Sequence, residues 1–97
     1  NVIIKNYDDS IKLIKHLKSA QFQIVCLEQC DHSLLLQNIR FQKKACLIIG
    51  HENSGVSQNF LDNSDEVAHI DLYGQNSSIN VSQAAAIGLY ECVRQFQ

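Results

Sequence analysis

Two glycines, Gly50 and Gly55, stand five residues apart in the stretch LIIGHENSGVSQNF, directly after an apolar run. An apolar strand that breaks into Gly-x-x-x-x-Gly is a common phosphate cradle, because backbone amides converge there without side chains in the way. A loop of that type ends in Gly-Lys-Ser/Thr, where the Lys neutralises phosphate charge and the hydroxyl holds magnesium. Here Gly55 is followed by Val56 and Ser57, and no Lys occurs from residue 45 to the end. The dinucleotide fingerprint Gly-x-Gly-x-x-Gly is missing as well. A polyphosphate would also meet Glu52 in an acidic half of the chain. The loop therefore suits a ligand with less negative charge, or one with a positive centre. His51 and Glu52 are residue types used in acid–base chemistry. Spacing alone assembles no Ser-His-Asp arrangement from them, and His51 and His69 read as structural or solvent-exposed side chains.

The charge is unevenly placed. The net charge of −2 argues against a dedicated nucleic-acid binder. Residues 1–48 hold seven Lys/Arg against four Asp/Glu, giving +3, whereas residues 49–97 hold Arg94 against six acids, giving −5. Ordinary surface variation is the plain explanation; the sharper one puts any contact with a polyanion in the first half. Cys26, Cys30 and Cys46 and Cys92 read as free thiols, three of them within apolar stretches, in a reducing compartment such as the cytoplasm. Cys26-x-x-x-Cys30 lacks the usual pair spacing of a zinc site, and neither His32 nor His51 supplies a second pair, so no metal is assigned. No apolar run approaches the roughly 20 residues of a membrane span. Lys5 and two Asp stand where a signal peptide would need its apolar core. The start at Asn1, without Met, reads as a fragment or a processed chain.

The elements that must carry the glycine loop are legible in outline. Residues 1–4 are a short strand or a tail. YDDSIKLIKHLKSAQ reads as a helix capped by Asp9 or Ser10. At about 100° per residue, Leu13, Ile14, Leu17 and Ala20 fall on one side, and Lys12, Lys15, His16 and Ser19 on the other. FQIVCLE has the β-branched, aperiodic look of a strand. DHSLLLQNI reads as a short helix capped by Asp31 or Ser33. ACLII, 45–49, is a continuous apolar run of the kind covered on both faces. SQNFLDN reads as a short capped helix, EVAHIDL as a strand, YGQNSS as a loop, and residues 79–96 as a helix. Its apolar side comprises Val81, Ala85, Gly88, Leu89, Cys92, Val93 and Phe96. Ile87 falls opposite, beside Gln83, Tyr90 and Arg94; it is either a lone exposed Ile or part of a second contact surface such as a dimer interface. Alternating strands and helices predict one α/β domain over residues 1–97, with a mainly parallel sheet and helices on both faces.

Two segments in order, LIIGHENSGVS (47–57) and HIDLYGQNSSINVSQAAAIGLYE (69–91), resemble the second and third motifs of the SpoU/TrmH-type RNA methyltransferases, of the SPOUT class. The matching positions are Gly50, Glu52, Gly55, Ile70, Gly74, Ser78, Asn80, Val81, Tyr90 and Glu91. The helix and strand over residues 9–28 resemble the stretch before the second motif. The resemblance implies a C-terminal deep trefoil knot, an S-adenosylmethionine cofactor, a homodimer, and methylation of a ribose 2′-hydroxyl in tRNA or rRNA. It implies cofactor contacts at Gly50, Ile70 and Ile79, with Leu72, Ser78 and Asn80 nearby. It gives catalytic roles to Asn80 and Ser78, which orient the ribose or the loops, and to Glu52, which holds a loop amide or a basic partner. The chemistry agrees with the residues, since a sulfonium is cationic and tolerates an acidic, lysine-free loop.

Asp71 and Leu72 stand where the family has Pro and Met, and Ile79 where it has Leu. The family's first motif, with an Asn and a catalytic Arg, lies upstream of the point at which this sequence begins. Arg40 and Arg94 do not lie in such a context. The sequence is therefore expected to be the C-terminal, cofactor-binding part of a complete enzyme. The alternative is a non-catalytic knotted module that is RNA-associated or serves dimerisation.

Overall fold

The structure, a computed structural model, describes residues 2–5, 10–50, 55–70 and 81–96. Within them the elements run β1 (Val2–Lys5), α1 (Ser10–Ser19), β2 (Gln23–Leu27), β3 (Leu34–Leu35), a single 3-10 turn (Leu36–Asn38), β4 (Ala45–Ile49), α2 (Gln58–Asn63), β5 (Glu66–His69) and α3 (Val81–Arg94). The five described strands form one sheet in the order β1-β4-β2-β5-β3, and each neighbouring pair runs parallel. The α/β expectation with a parallel sheet holds. The expected trefoil knot is not shown by the described residues, and the expected cap at Asp9 and the YGQNSS loop lie outside them.

Parallel strands need cover on both faces. Ile24, Cys26, Cys46, Ile48 and Val67 point to one face and pack with Ile14 and Leu17 of α1 and Phe60 of α2. Val25, Leu47 and Ala68 point to the other, against Leu36, Ile39, Phe41 and Cys92. The run Ala45–Ile49 is buried at every position, as its unbroken apolar character requires for a strand flanked by two others. Lys12, Lys15 and His16 are exposed on α1 as the helical period predicts. That helix ends at Gln21, which takes φ 64°. The Phe22 and Gln21 amides bond back to the carbonyls of Leu17 and Lys18, at 2.9 and 3.0 Å, and satisfy the last turn in the Schellman manner.

Two expectations are corrected. Residues 31–39 are not a helix. Leu34 and Leu35 pair with Ala68 and His69 as an edge strand, and a 3-10 turn follows. Ser33 does not cap: its hydroxyl donates to the Cys30 carbonyl at 2.8 Å. Pairing with β5 overrides the local helix signal, as tertiary context commonly does. In α3, Gly88 and Cys92 are buried, but Leu89, Val93 and Phe96, expected to face the core, are exposed. Gly88 explains the narrow contact, because a Cβ there would stand 3.0 Å from Leu27 Cδ1 and 3.3 Å from Leu47 Cδ1. The helix backbone sits close on the sheet, so only residues beside that line are covered.

Candidate functional site

In an open parallel sheet, ligands bind beyond the carboxyl ends of the strands. Gly50 directly follows β4 and Ile70 directly follows β5, so both motif segments pass through this edge. β2 lies between them in the sheet, and the residue after β2 is Glu28. Gly50 and Ile70 are the expected cofactor residues that the structure describes; Leu72, Ser78, Ile79 and Asn80 lie outside the described residues. So do the expected Glu52 and the neighbouring His51.

The spacing of the two glycines has a geometric cause. A Cβ on Gly50 would overlap the Gly55 carbonyl carbon and the Val56 nitrogen, and would stand 2.6 Å from the Gly55 oxygen. The chain leaves β4 at Gly50 and returns to touch itself at the Gly55–Val56 peptide. Gly55 takes φ +71°, a left-handed conformation that glycine adopts without steric cost. Its absent Cβ leaves room for the Glu28 carboxylate. The Val56 amide donates to Glu28 Oε2 at 2.9 Å, and the buried Val56 side chain anchors the returning strand of the loop in the core. Glu28 itself is fixed by its own amide, which donates to the Ala68 carbonyl at 2.9 Å. Sequence reasoning missed Glu28. The available signal was an acid placed directly after an apolar strand.

His69 ends β5 at the same edge, and its Nδ1 lies 2.9 Å from Ser33 Oγ. The single Ser33 hydroxyl hydrogen goes to the Cys30 carbonyl. The Ser33–His69 bond ties β3 to β5 and supports the structural reading of His69. Near it, the half-buried Cys30 thiol lies 3.6 Å from Nδ1 of the exposed His32.

All four cysteines are free. Burial pushes the Cys26 thiol up to about 12 and the Cys46 thiol up to about 11, and raises that of Cys92, so these three are held protonated and inert. Among the described residues, no group of three His, Cys, Asp or Glu is arranged to hold a metal, and no helix is long and apolar enough to cross a membrane. Arg94 is engaged with Glu91, its Nε donating to Oε1 at 2.9 Å and its Nη2 to Oε2 at 2.6 Å. The hydrogen bond from Arg94 holds the Glu91 carboxyl below its ordinary range.

The chain has clear relatives. A family profile described as the SpoU rRNA Methylase family matches residues 1–90. The tRNA (guanosine(18)-2′-O)-methyltransferase of Aquifex aeolicus is 33% identical over 94 residues, covering 97% of this chain and 44% of that protein. The enzyme of the same name from Escherichia coli K12 is 33% identical over 84 residues, covering 87% of this chain and 37% of that protein. The crystal structure of the A. aeolicus TrmH/SpoU tRNA modifying enzyme matches with a TM-score of 0.81 at 32% identity, over 92% of this chain and 45% of that one. The SpoU methyltransferase AviRb of Streptomyces viridochromogenes, solved in complex with AdoMet, matches with a TM-score of 0.75 at 26% identity, over 91% of this chain and 34% of that one. The chain thus spans less than half the length of these relatives.

Proposed function

The chain belongs to the SpoU rRNA methylase family, and from that premise we propose that it supplies the S-adenosylmethionine pocket and the dimer contact of an enzyme that methylates a ribose 2′-hydroxyl of tRNA or rRNA. The observation that carries this reading is the convergence of Gly50 and Ile70 on the carboxyl edge of the sheet, on either side of Glu28. The residues present fit the cofactor. The described part of the loop offers tight backbone and has no lysine, and the Glu28 carboxylate stands against it, which suits a cation and repels a polyphosphate.

When bound, the cofactor supplies a methyl group on a sulfonium, open to displacement at carbon. The chain's own part is to bind and orient. Gly50 and Ile70 present backbone groups to the cofactor, joined by Leu72, Ser78 and Ile79 and Asn80 of the third motif. Asn80 and Ser78 orient the ribose or brace the loops, since Asn offers both donors and acceptors, and Glu52 holds a loop amide or a basic partner. Positioning dominates such a displacement. The 2′-hydroxyl must also lose its proton; the resemblance gives that step to an arginine of the family's first motif, and in this chain Arg94 is paired with Glu91. The reading includes the C-terminal trefoil knot that the resemblance implies, a rare exception to the rule against threaded chains. The exposed lysines of α1 meet RNA phosphate. The protein works in the cytoplasm, where its thiols stay reduced.

The second copy docks on α3. Leu89, Val93 and Phe96 are 37%, 41% and 46% exposed, and at about 100° per residue they share one side of the helix. Ile87 and Tyr90, the second contact surface expected from the sequence, are also exposed, at 40% and 66%, beside Arg94. Leu89→Glu together with Val93→Glu is expected to convert a dimer to monomer in sedimentation; an unchanged profile would remove this surface.

The deciding experiment is calorimetric titration of the chain with S-adenosylhomocysteine, the product left after methyl transfer. Saturable binding near one equivalent per chain supports the pocket. A folded dimer that binds none would favour the non-catalytic module.

A further inference from the structure

Glu28 lies outside both motif segments, yet it bonds to the first and to the strand that leads into the second. It is the first residue past β2, the strand between β4 and β5. Its amide is bonded to Ala68 of β5, and its carboxylate to the Val56 amide at the return of the glycine loop, each at 2.9 Å. The Gly55–Val56 peptide in turn packs on Gly50. A continuous set of contacts therefore runs from the end of β5, through Glu28, to the end of β4.

We propose that Glu28 is a positioning residue: its carboxylate clamps the Gly55–Val56 peptide and so sets where Gly50 stands relative to Ile70 at the cofactor site. This rests on the cofactor reading above. Two features separate the clamp from a surface acid that happens to lie near. The reach is specific, since the carboxylate occupies the space a Cβ on Gly55 would take. The backbone bearing the carboxylate is locked to the second motif-bearing strand, so the clamp registers one motif against the other.

The clamp needs an acceptor at the right distance more than it needs a charge. Glu28→Gln keeps an amide oxygen at that reach, Glu28→Asp keeps the charge but falls short by one methylene, and Glu28→Ala removes both. The test measures affinity for S-adenosylhomocysteine by calorimetry and hydrogen exchange at the Val56 amide, on wild type and the three variants, with circular dichroism to confirm the fold. Glu28→Ala and Glu28→Asp are expected to bind about tenfold more weakly and to exchange the Val56 amide faster, while Glu28→Gln stays within about twofold of wild type on both readouts. A folded Glu28→Ala chain with wild-type affinity overturns the proposal. Equal losses in Glu28→Gln and Glu28→Ala also overturn it, because charge would then be the working feature. Should the wild type bind nothing, the cofactor reading fails by itself. The Val56 exchange rates then still decide the clamp, and unchanged rates in Glu28→Ala would end it.

Discussion

The two ends of the parallel sheet are built differently. At the amino ends of the strands, side-chain amides close the structure. Gln23 donates from Nε2 to the Arg40 carbonyl at 3.1 Å and accepts from the Gln42 amide at 2.8 Å. Gln95, just past α3, donates to the Ile39 carbonyl at 2.7 Å and accepts from the Phe41 amide at 2.8 Å. Asp65 accepts from the Ile24 amide at 2.7 Å and extends the β2–β5 pairing by one step. Each connection there is fastened by a side chain that finds its partners within the fold. At the carboxyl ends, two glycines bring backbone against backbone, and Glu28 holds the returning peptide. The first arrangement secures the entry to β4 and the end of α3. The second leaves main-chain groups close together with little side-chain bulk, as a ligand approached by backbone requires. Side chains fasten one end, and the other end is the one to which the cofactor site is proposed.

That contrast can be broken by substitution. Gly50→Val carries the largest expected effect, because its side chain would occupy the Gly55–Val56 backbone. Binding of S-adenosylhomocysteine should be lost, and the loop should no longer close; a folded Gly50→Val chain with intact affinity in calorimetry would remove the pocket from this edge. Gln23→Ala should act in the opposite sense. It leaves two backbone groups without their partner and should cost about 1–2 kcal/mol in urea unfolding, with cofactor affinity unchanged. An affinity loss there would show that the two ends are coupled. The smallest effect belongs to Gln21, whose φ of 64° is one that glycine adopts freely. Gln21→Gly should raise stability by up to roughly 1 kcal/mol, read from the thermal midpoint, without touching the site.

Much of this was readable before the coordinates. The buried run at 45–49, the amphipathic face of α1 and the short helix at 58–63 follow from local pattern, since burial repeats with the period of the element. The two motif segments pass through strand ends for the same reason. Where the reading failed, contacts distant in sequence decided. Leu34 and Leu35 became an edge strand because β5 offered an unpaired neighbour. Leu89, Val93 and Phe96 stayed exposed because Gly88 drew α3 down along a narrow line. Glu28 gave no motif, since its partners, Ala68 and Val56, lie 40 and 28 residues away.

By itself, the sequence determined the class of fold, the strand that carries the glycine loop and the kind of ligand that loop excludes. These depend on periodicity, on charge and on the presence or absence of a lysine, all of which are local. Only the tertiary structure decided why the glycines are five residues apart, which acid clamps them and which side of α3 remains uncovered. Each of those depends on a distance between atoms that chain order leaves free and the packed sheet fixes.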